Sequence, residues 1–577
     1  MLKELVDILS GQDEYAIDLE TSGLDPLSDT IIGISFACGG DADAWYIPFS
    51  GEKAFSRLET FDALRPIFLD ESKIAIFFNG KFDLKFLKRS GIEFRNRIAD
   101  VQIAAWLLDE NRMYETKYFS LKTLALLDLG ITMKTYEQVV EEFGTESDEF
   151  AEYGKDDSRR TLQLWELYLP QIENQGLEKI FWEMKMPMVD ILADMELTGI
   201  KLDCEYLMKV KKDLAKKLIP IQDKIYKLAG KEFLVSSSQQ VGEVLFKDLN
   251  IPHDGILVGK SGKISTEEKY LKPLKKKNKI VKLILEWRGI SKILSTYTDK
   301  FVKRVKEDGR IHANFHQVRT VTGRLSSSDP NMQNISKDPK IGIRKSFTCD
   351  DGHVLICGDL SQIELRIMAH RSKDWVMTDA YSRGADLHQT MADNAHVSRD
   401  DAKGINFGFL YGMGAKKFSE KYDHSLQKSY RFRENFFEVY SRIKFYHQKV
   451  YSQALKTGMV KTICGRPRRF DTSQGDPRGD IFRQSINAVI QGSAADIFDI
   501  IMRNYVRELN KKIKEDPRFE DVKPVIQVHD ELVVDSPEEI AQVAADMLKS
   551  VMENSIKLSV PIVADISMGK TWSEAKE

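Results

Sequence analysis

Acidic residues recur in this sequence at spacings that chemistry can use. In "YAIDLETSG", residues 15–23, Ile17 and Leu19 alternate with Asp18 and Glu20, so a strand here carries both carboxylates on one face. Two carboxylates that close repel each other unless a divalent cation lies between them. "KIAIFFNGKFDLKFL", residues 73–87, reads as a buried strand that breaks at Asn79–Gly80 into a helix. Asp83 falls in the first turns of that helix, where the dipole tolerates an anion. "EYGKDDSRRTLQLW", residues 152–165, sets Tyr153 and Asp157 four apart, hence on one helical face. Singly, each piece reads as a surface acid or a core tyrosine. Together they form a set that could hold two cations either side of a scissile phosphate, the chemistry of a two-metal phosphodiesterase.

A second set lies in the C-terminal half. "HVLICGDLSQIELRIMAHRS", residues 353–372, is an apolar strand ending at Asp359 before a helix-like pattern. "VIQVHDELVVD", residues 525–535, flanks His529, Asp530 and Glu531 with β-branched runs, the signature of a hairpin whose tight reversal pushes the acids off the sheet end. Asp359 and Asp530 could converge on a metal pair that aligns a 3′-hydroxyl with a nucleotide α-phosphate. Between them, in "SRDDAKGINFGFLYGMG", Arg399, Lys403, Phe407 and Tyr411 recur every four residues and so line one helix face. Cations then aromatics on a shared face suit a triphosphate followed by sugar and base; an ordinary amphipathic helix would oppose the two. "TVTGRLSSSDPNMQNI" clusters hydroxyls and amides around Arg324, and "RQSINAVIQGSAAD" sets Arg483, Asn487 and Gln491 on a four-residue ladder. Both suit contacts to a DNA backbone and groove.

Two such sets need more than one scaffold. At 577 residues the chain exceeds a single core, and roughly two to four domains are expected. Hydrophobic residues make up 42% and charged residues 30%, which excludes a disordered chain. No apolar run is long enough to span a membrane, and the N-terminus reads as an amphipathic start followed by a strand, without signal or transit character. The five cysteines (Cys38, Cys204, Cys349, Cys357, Cys464) are scattered with no C-x-x-C pair. That excludes a disulfide framework or structural zinc site and fits a reducing compartment. Net charge is −3 and gives no hint of a polyanionic partner. Its distribution does: residues 271–310 hold 13 Lys and Arg against 4 Asp and Glu, a stripe able to neutralise phosphates. Residues 138–157 are acidic instead.

D-x-E, then N-x-x-x-D, then Y-x-x-x-D resembles the DEDD-type 3′→5′ exonucleases, in the branch with a tyrosine. That likeness implies a ribonuclease-H-like fold, metal ligands Asp18, Glu20, Asp83 and Asp157, and Tyr153 orienting the attacking water. The later blocks resemble the family A DNA polymerases, the class of bacterial DNA polymerase I. "DLSQIELR" is similar to motif A, "RDDAKGINFGFLYG" to motif B and "QVHDEL" to motif C; residues 184–203 and "STYTDK" are similar to family segments that open the polymerase domain and belong to the thumb. Essentially the whole chain is covered. The resemblance implies metal ligands Asp359, Asp530 and the Leu360 carbonyl, with Glu531 adjacent. It implies that Arg399 and Lys403 hold the incoming triphosphate, helped by His388, with Lys403 also the proton donor to pyrophosphate. Phe407 and Tyr411 would line the sugar and templating-base region, with Gln362 in the nucleotide site and Glu364 blocking a 2′-hydroxyl. Arg324, Asn334, Arg483, Asn487, Gln491 and His529 would touch primer or template. The chain departs from the family at Ser336 and Asp338, where proline and arginine are usual, and at Leu360, where tyrosine is common; Lys337 is the nearest substitute for the missing arginine.

The expected architecture is α/β and α+β multidomain: a ribonuclease-H-like exonuclease domain followed by a right-hand polymerase domain of palm, fingers and thumb. The exonuclease domain is expected at roughly 1–175 and the polymerase domain at 176–577, with the thumb at about 200–310, the palm at about 311–375 and 477–577, and the fingers at about 376–476. The expected activity is template-directed DNA synthesis from dNTPs with 3′→5′ proofreading. Mg²⁺ is expected, two per active site, with Mn²⁺ as a substitute. Expected partners are primer–template DNA, dNTPs and a single-stranded 3′ end. The chain is expected as a monomer off the membrane, in a bacterial or host cytoplasm, with an organellar matrix as the alternative. Neither a 5′-nuclease domain nor a long thumb insertion is expected. Two rival classes are an exoribonuclease or RNA-processing enzyme with a degraded polymerase half, against which the intact metal pair and phosphate-binding helix speak, and a non-catalytic nucleic-acid-binding scaffold, which calls for a lost metal ligand; none is lost.

Overall fold

The computed structural model describes residues 2–39, 43–114, 119–252, 264–338, 341–422, 424–477 and 479–576. The alternation in "YAIDLET" forms β1 (Glu14–Thr21), the centre of a five-stranded sheet ordered β3-β2-β1-β4-β5. Its other strands are β2 (Ile31–Cys38), β3 (Asp43–Pro48), β4 (Ile74–Phe77) and β5 (Arg97–Asp100). β1 runs antiparallel to β2 and parallel to β4. After β4 the chain turns through Asn79 at φ 62° into helix α1 (Lys81–Arg89). The 27-residue helix α2 (Asp148–Asn174), capped by the Ser147 side chain, packs across β1, β2 and β3. Tyr15, Phe36, Phe68, Phe77, Trp106 and Trp165 are buried between these layers, and each Phe contributes roughly 2 kcal/mol by leaving water.

Helix α3 (Met186–Thr198) leads into the second half. The long helices α4 (Cys204–Ala229) and α5 (Lys279–Tyr297) pack together, with a core of their own at Ile225, Val241, Leu245 and Ile284. The basic stripe falls on α5 and the short helices that flank it. A four-stranded antiparallel sheet ordered β7-β8-β6-β9 follows, from β6 (His353–Leu360), β7 (Lys523–Val528), β8 (Glu531–Pro537) and β9 (Ala564–Gly569). Between β6 and β7 come α6 (Ile363–Ser372), α7 (Arg399–Leu410) and the 36-residue α8 (Asp480–Glu515). Helix α9 (Ala541–Asn554) covers one face of this sheet. It sits so close that a Cβ on Gly358 would lie 2.7 Å from Met552 Sδ.

The two halves meet across a seam rich in ion pairs. Glu196 on α3 bridges Lys81 at 2.5 Å and Lys85 at 2.7 Å, both on α1, and accepts the Phe315 N–H at 2.6 Å. Lys185, held by Asp499 at 2.5 Å within the second half, reaches across to Trp106. A hairpin of strands Met459–Lys461 and Pro467–Arg469 sets Arg468 and Arg469 at 3.0 and 2.8 Å from the buried Glu110. The Trp106 ring has Lys185 and Arg466 each 5.4 Å from its centroid. All five cysteines are free. No described helix is long and apolar enough to cross a membrane. The mixed α/β and α+β multidomain expectation holds.

Candidate active sites

On β1 the side chains of Asp18 and Glu20 share a face, and α2 brings Asp157 to them. One carboxylate oxygen from each lies within 4.8 Å of the others. Asp83 joins them through α1, accepting the Leu19 N–H at 3.1 Å. Burial pushes Asp18 up to about 8, reinforced by the Asp157 charge and opposed by Lys122. Burial also raises Glu20 and Asp83, both reinforced by Asp18, and raises Asp157 against Lys122. Lys122 Nζ donates to the Tyr153 hydroxyl at 3.2 Å and reaches both Asp157 oxygens at 3.1 and 3.2 Å. A buried knot of carboxylate oxygens that suppress one another's ionisation fits a hard divalent cation such as Mg²⁺ or Mn²⁺. At the seam between the two halves, Asn79, Lys81, Phe82, Asn314, His316 and Arg319 line a cleft of about 170 Å³.

The second set also converges. In the sheet register Asp359 lies opposite Glu531 on β8 and opposite Asp565 on β9. The reversal between β7 and β8 falls on His529, at φ 59°, and Asp530. The Leu360 N–H donates to the Asp530 carbonyl at 3.0 Å, so the two motifs are tied backbone to backbone. Burial, reinforced by Asp359, pushes Asp530 up to about 6. Burial raises Asp359 as well, against Lys576. Glu531 behaves differently: burial would raise it, but the Lys576 ammonium and the Trp572 N–H more than offset this and hold it below its ordinary value. It is 1% exposed and turned toward the C-terminal tail, with Trp572 Nε1 donating at 2.7 Å and the Lys576 ammonium in ion-pair contact at 2.8 Å.

A cavity of about 430 Å³ opens above Asp359 and Asp530, walled by Arg399, Lys403, Phe407 and Lys576, within the size range of small-molecule sites. Arg399 pairs with Asp386 at 2.6 Å, whereas Lys403 is exposed and has no carboxylate partner among the described residues. His388 is buried, its Nδ1 3.0 Å from Asn406 Nδ2 and its ring 5.6 Å from that of Phe407. The four-residue ladder loses its last rung. Helix α7 ends at Leu410, and Tyr411 is its C-cap, ahead of Gly412 at φ 70°. The Tyr411 hydroxyl nevertheless donates to Glu364, which also pairs with Arg324 at 2.5 Å. Gln362 sits at φ 54° and accepts from the Tyr381 hydroxyl at 3.0 Å.

Arg483, Asn487 and Gln491 lie partly exposed on the first half of α8. The Asn334 carbonyl accepts the Tyr297 hydroxyl of α5 at 2.6 Å. At the departure from the family, Ser336 Oγ takes the Asp338 N–H at 3.2 Å, and the Lys337 charge is felt at Asp359 and Asp530. Sequence reasoning passed over Lys122, Asp565, Trp572 and Lys576. Asp565 has a faint local signal, the alternation of "VADIS" in a strand; the lysines and the tryptophan have none, because their partners are distant in the chain.

Residues 204–574 match the family model described as DNA polymerase family A, and residues 1–173 match that of a 3′-5′ exonuclease. Among curated relatives, DNA polymerase I of Treponema pallidum is 30% identical over 99% of this chain and 62% of its own. That of Borreliella burgdorferi is 32% identical over 99% of this chain and 64% of its own. The thermostable DNA polymerase I of Thermus aquaticus is 34% identical over 70% of this chain and 50% of its own. The chain thus spans less than two thirds of the length of these relatives. Among solved structures, the POL domain of Pol1 from M. smegmatis, in complex with DNA primer-template and dNTP, superposes with a TM-score of 0.88 at 25% identity, covering 100% of this chain and 99% of that one. With two carboxylate centres, each in the domain whose family model it falls in, the chain belongs to DNA polymerase family A and joins a 3′-5′ exonuclease domain to the polymerase domain.

Proposed function

We propose that the chain extends a DNA primer on a template with dNTPs and excises mispaired 3′ ends, in two separate centres. The observation that carries this reading is the cavity where Asp359 and Asp530 face Arg399, Lys403 and Phe407, together with a second buried carboxylate cluster in a different sheet. Residues 1–175 form the exonuclease domain and 176–577 the polymerase domain, with thumb, palm and fingers at the boundaries expected above. When bound, a pair of divalent cations, with Mg²⁺ the expected species, supplies transition-state charge stabilisation. Asp359, Asp530 and the Leu360 carbonyl would hold it in the polymerase centre, and Asp18, Glu20, Asp83 and Asp157 in the exonuclease centre.

The remaining work falls to this chain's own groups. Lys403 and Arg399 bind the triphosphate, with His388 in support; a free ammonium is a suitable proton donor to departing pyrophosphate. The Phe407 ring packs against the sugar. Glu364, braced by Arg324 and Tyr411, stands where a 2′-hydroxyl would enter. Arg324, Asn334, Arg483, Asn487, Gln491 and His529 hold the primer–template, and α5 supplies positive charge along it. In the exonuclease centre Tyr153 orients a water, and the centre takes a single-stranded 3′ end. Primer extension and single-strand degradation test the reading together. Asp530→Ala should abolish extension and spare degradation, while Asp18→Ala with Glu20→Ala does the reverse. Loss of both activities in either folded variant would sink the two-centre reading.

A further inference from the structure

Three acidic positions stand in one row across the second sheet: Glu531 on β8, Asp359 on β6 and Asp565 on β9, directly opposed in register. Opposed residues on neighbouring antiparallel strands share a face, and like charges there destabilise the pairing. Asp530 adds a fourth carboxylate at the row's end. The chain answers this with its own tail. Trp572, fully buried, packs edge-on against Phe347 with centroids 5.6 Å apart and lies under the Arg344 guanidinium at 3.9 Å. Its indole N–H holds one Glu531 oxygen. Four residues on, Lys576 donates to Asp359 Oδ2 and stands 2.8 Å from the other Glu531 oxygen. Among the described residues, Lys576 is the one cation in ion-pair contact with Asp359.

Resting on the polymerase reading above, we propose that Lys576 is a built-in counter-ion for the Asp359–Glu531 pair, one that must leave Asp359 when this centre takes up a divalent cation. The C-terminal tail would then set the centre's affinity for metal. An Asp359 oxygen occupied by an ammonium is not available as a ligand, and the ammonium and a divalent cation repel each other. A lysine suits the role because its charge rides on a flexible four-carbon stem, so the head can swing while Trp572 stays anchored. Glu531, buried and held by Trp572, offers the displaced ammonium a partner that does not move. Lys576 is thus a positioning residue: it keeps Asp359 aligned before metal arrives, at the cost of weaker metal binding.

Linkage is reciprocal, so removing the competing charge tightens metal binding by the coupling factor. The test is a Mn²⁺ titration followed by electron paramagnetic resonance, on the full chain carrying Asp18→Ala and Glu20→Ala so that the exonuclease centre is silent. Lys576→Met should bind Mn²⁺ about fivefold or more tightly than its parent, while Lys576→Arg, which keeps the charge, stays within about twofold. In EDTA, Lys576→Met should also melt lower than its parent, with Mg²⁺ recovering more of its melting temperature. An unchanged or weaker Mn²⁺ affinity in folded Lys576→Met would overturn the proposal. Asp359→Asn in the same background should abolish the remaining Mn²⁺ binding. If it does not, the assignment of the centre has failed and the role of Lys576 falls with it, an outcome distinct from a centre that binds metal but ignores Lys576.

Discussion

The seam between the two halves makes a sharp prediction at Glu196. Its side chain is 2% exposed and neutralises Lys81 and Lys85, themselves only 12% and 9% exposed, while also accepting the Phe315 N–H. Glu196→Gln keeps the shape and one acceptor but leaves two buried ammonium groups against a neutral amide. Removing one partner of a buried ion pair costs roughly 3–5 kcal/mol; with one acceptor kept, the lower end applies, about 3 kcal/mol. The loss falls on α1 and on the segment around Phe315. Hydrogen exchange reads it directly, because local opening there becomes easier by about two decades for that energy. Amides of β6 and β8 should keep their wild-type rates. Single-strand degradation should slow in the same variant, since α1 carries Asp83. Exchange in α1 within about threefold of wild type, or equal loosening of β6 and β8, would refute the reasoning.

Three further predictions follow from the two centres. Glu364→Ala should lower the preference for dNTPs over rNTPs in primer extension, with some activity lost because Tyr411 and Arg324 lose their shared acceptor; an unchanged preference in an active variant rules the idea out. Phe407→Tyr should nearly abolish discrimination against dideoxynucleotides, since the added hydroxyl can stand in for the missing 3′-hydroxyl. A tenfold change in that ratio corresponds to about 1.4 kcal/mol, within reach of one charge-assisted hydrogen bond, and equal termination by both proteins would misplace α7. Asp18, pushed up to about 8 by burial, makes the metal-free fold bind a proton that the unfolded chain releases near pH 4. Between about pH 4 and pH 8 its stability therefore falls as pH rises. In EDTA, wild type should lose melting temperature relative to Asp18→Asn across that window, and Mg²⁺ should close the gap; parallel melting curves would contradict it.

What could be read from the chain was what is local. Period two placed Asp18 and Glu20 on one face of β1, and a four-residue step placed Tyr153 with Asp157 on α2, because strand and helix geometry repeat within a few residues. The reversal at His529–Asp530 was legible for the same reason. Tyr411 shows the limit: the step continued into a helix that had already ended, because Gly412 adopts a left-handed conformation that stops α7. Lys122 and Lys576 were invisible, since a lysine's partner depends on how distant segments pack, and 35 and 217 residues separate them from Asp157 and Asp359. Asp565 reached Asp359 only through strand order, which no local pattern encodes. Glu196 looked like one acid among many until two lysines closed on it from another domain.

The buried ion pairs at the seam bear on how one activity is removed without the other. Arg468 and Arg469 point into the exonuclease domain for Glu110, while Lys185 and Arg466 flank the Trp106 ring. Cutting away the exonuclease domain would strip both arginines of their carboxylate and bare the Trp106-facing surface. A truncated polymerase would expose a sticky scar of unpaired charges of both signs, because Glu196, Asp190 and Asp194 would lose Lys81, Lys85 and Lys88 at the same time. Editing a few carboxylates in Asp18, Glu20, Asp83 and Asp157 leaves that scar covered. For this chain, silencing the proposed proofreading is a task for point substitutions, and the exonuclease domain is as much a cover for the polymerase domain as the carrier of a centre of its own.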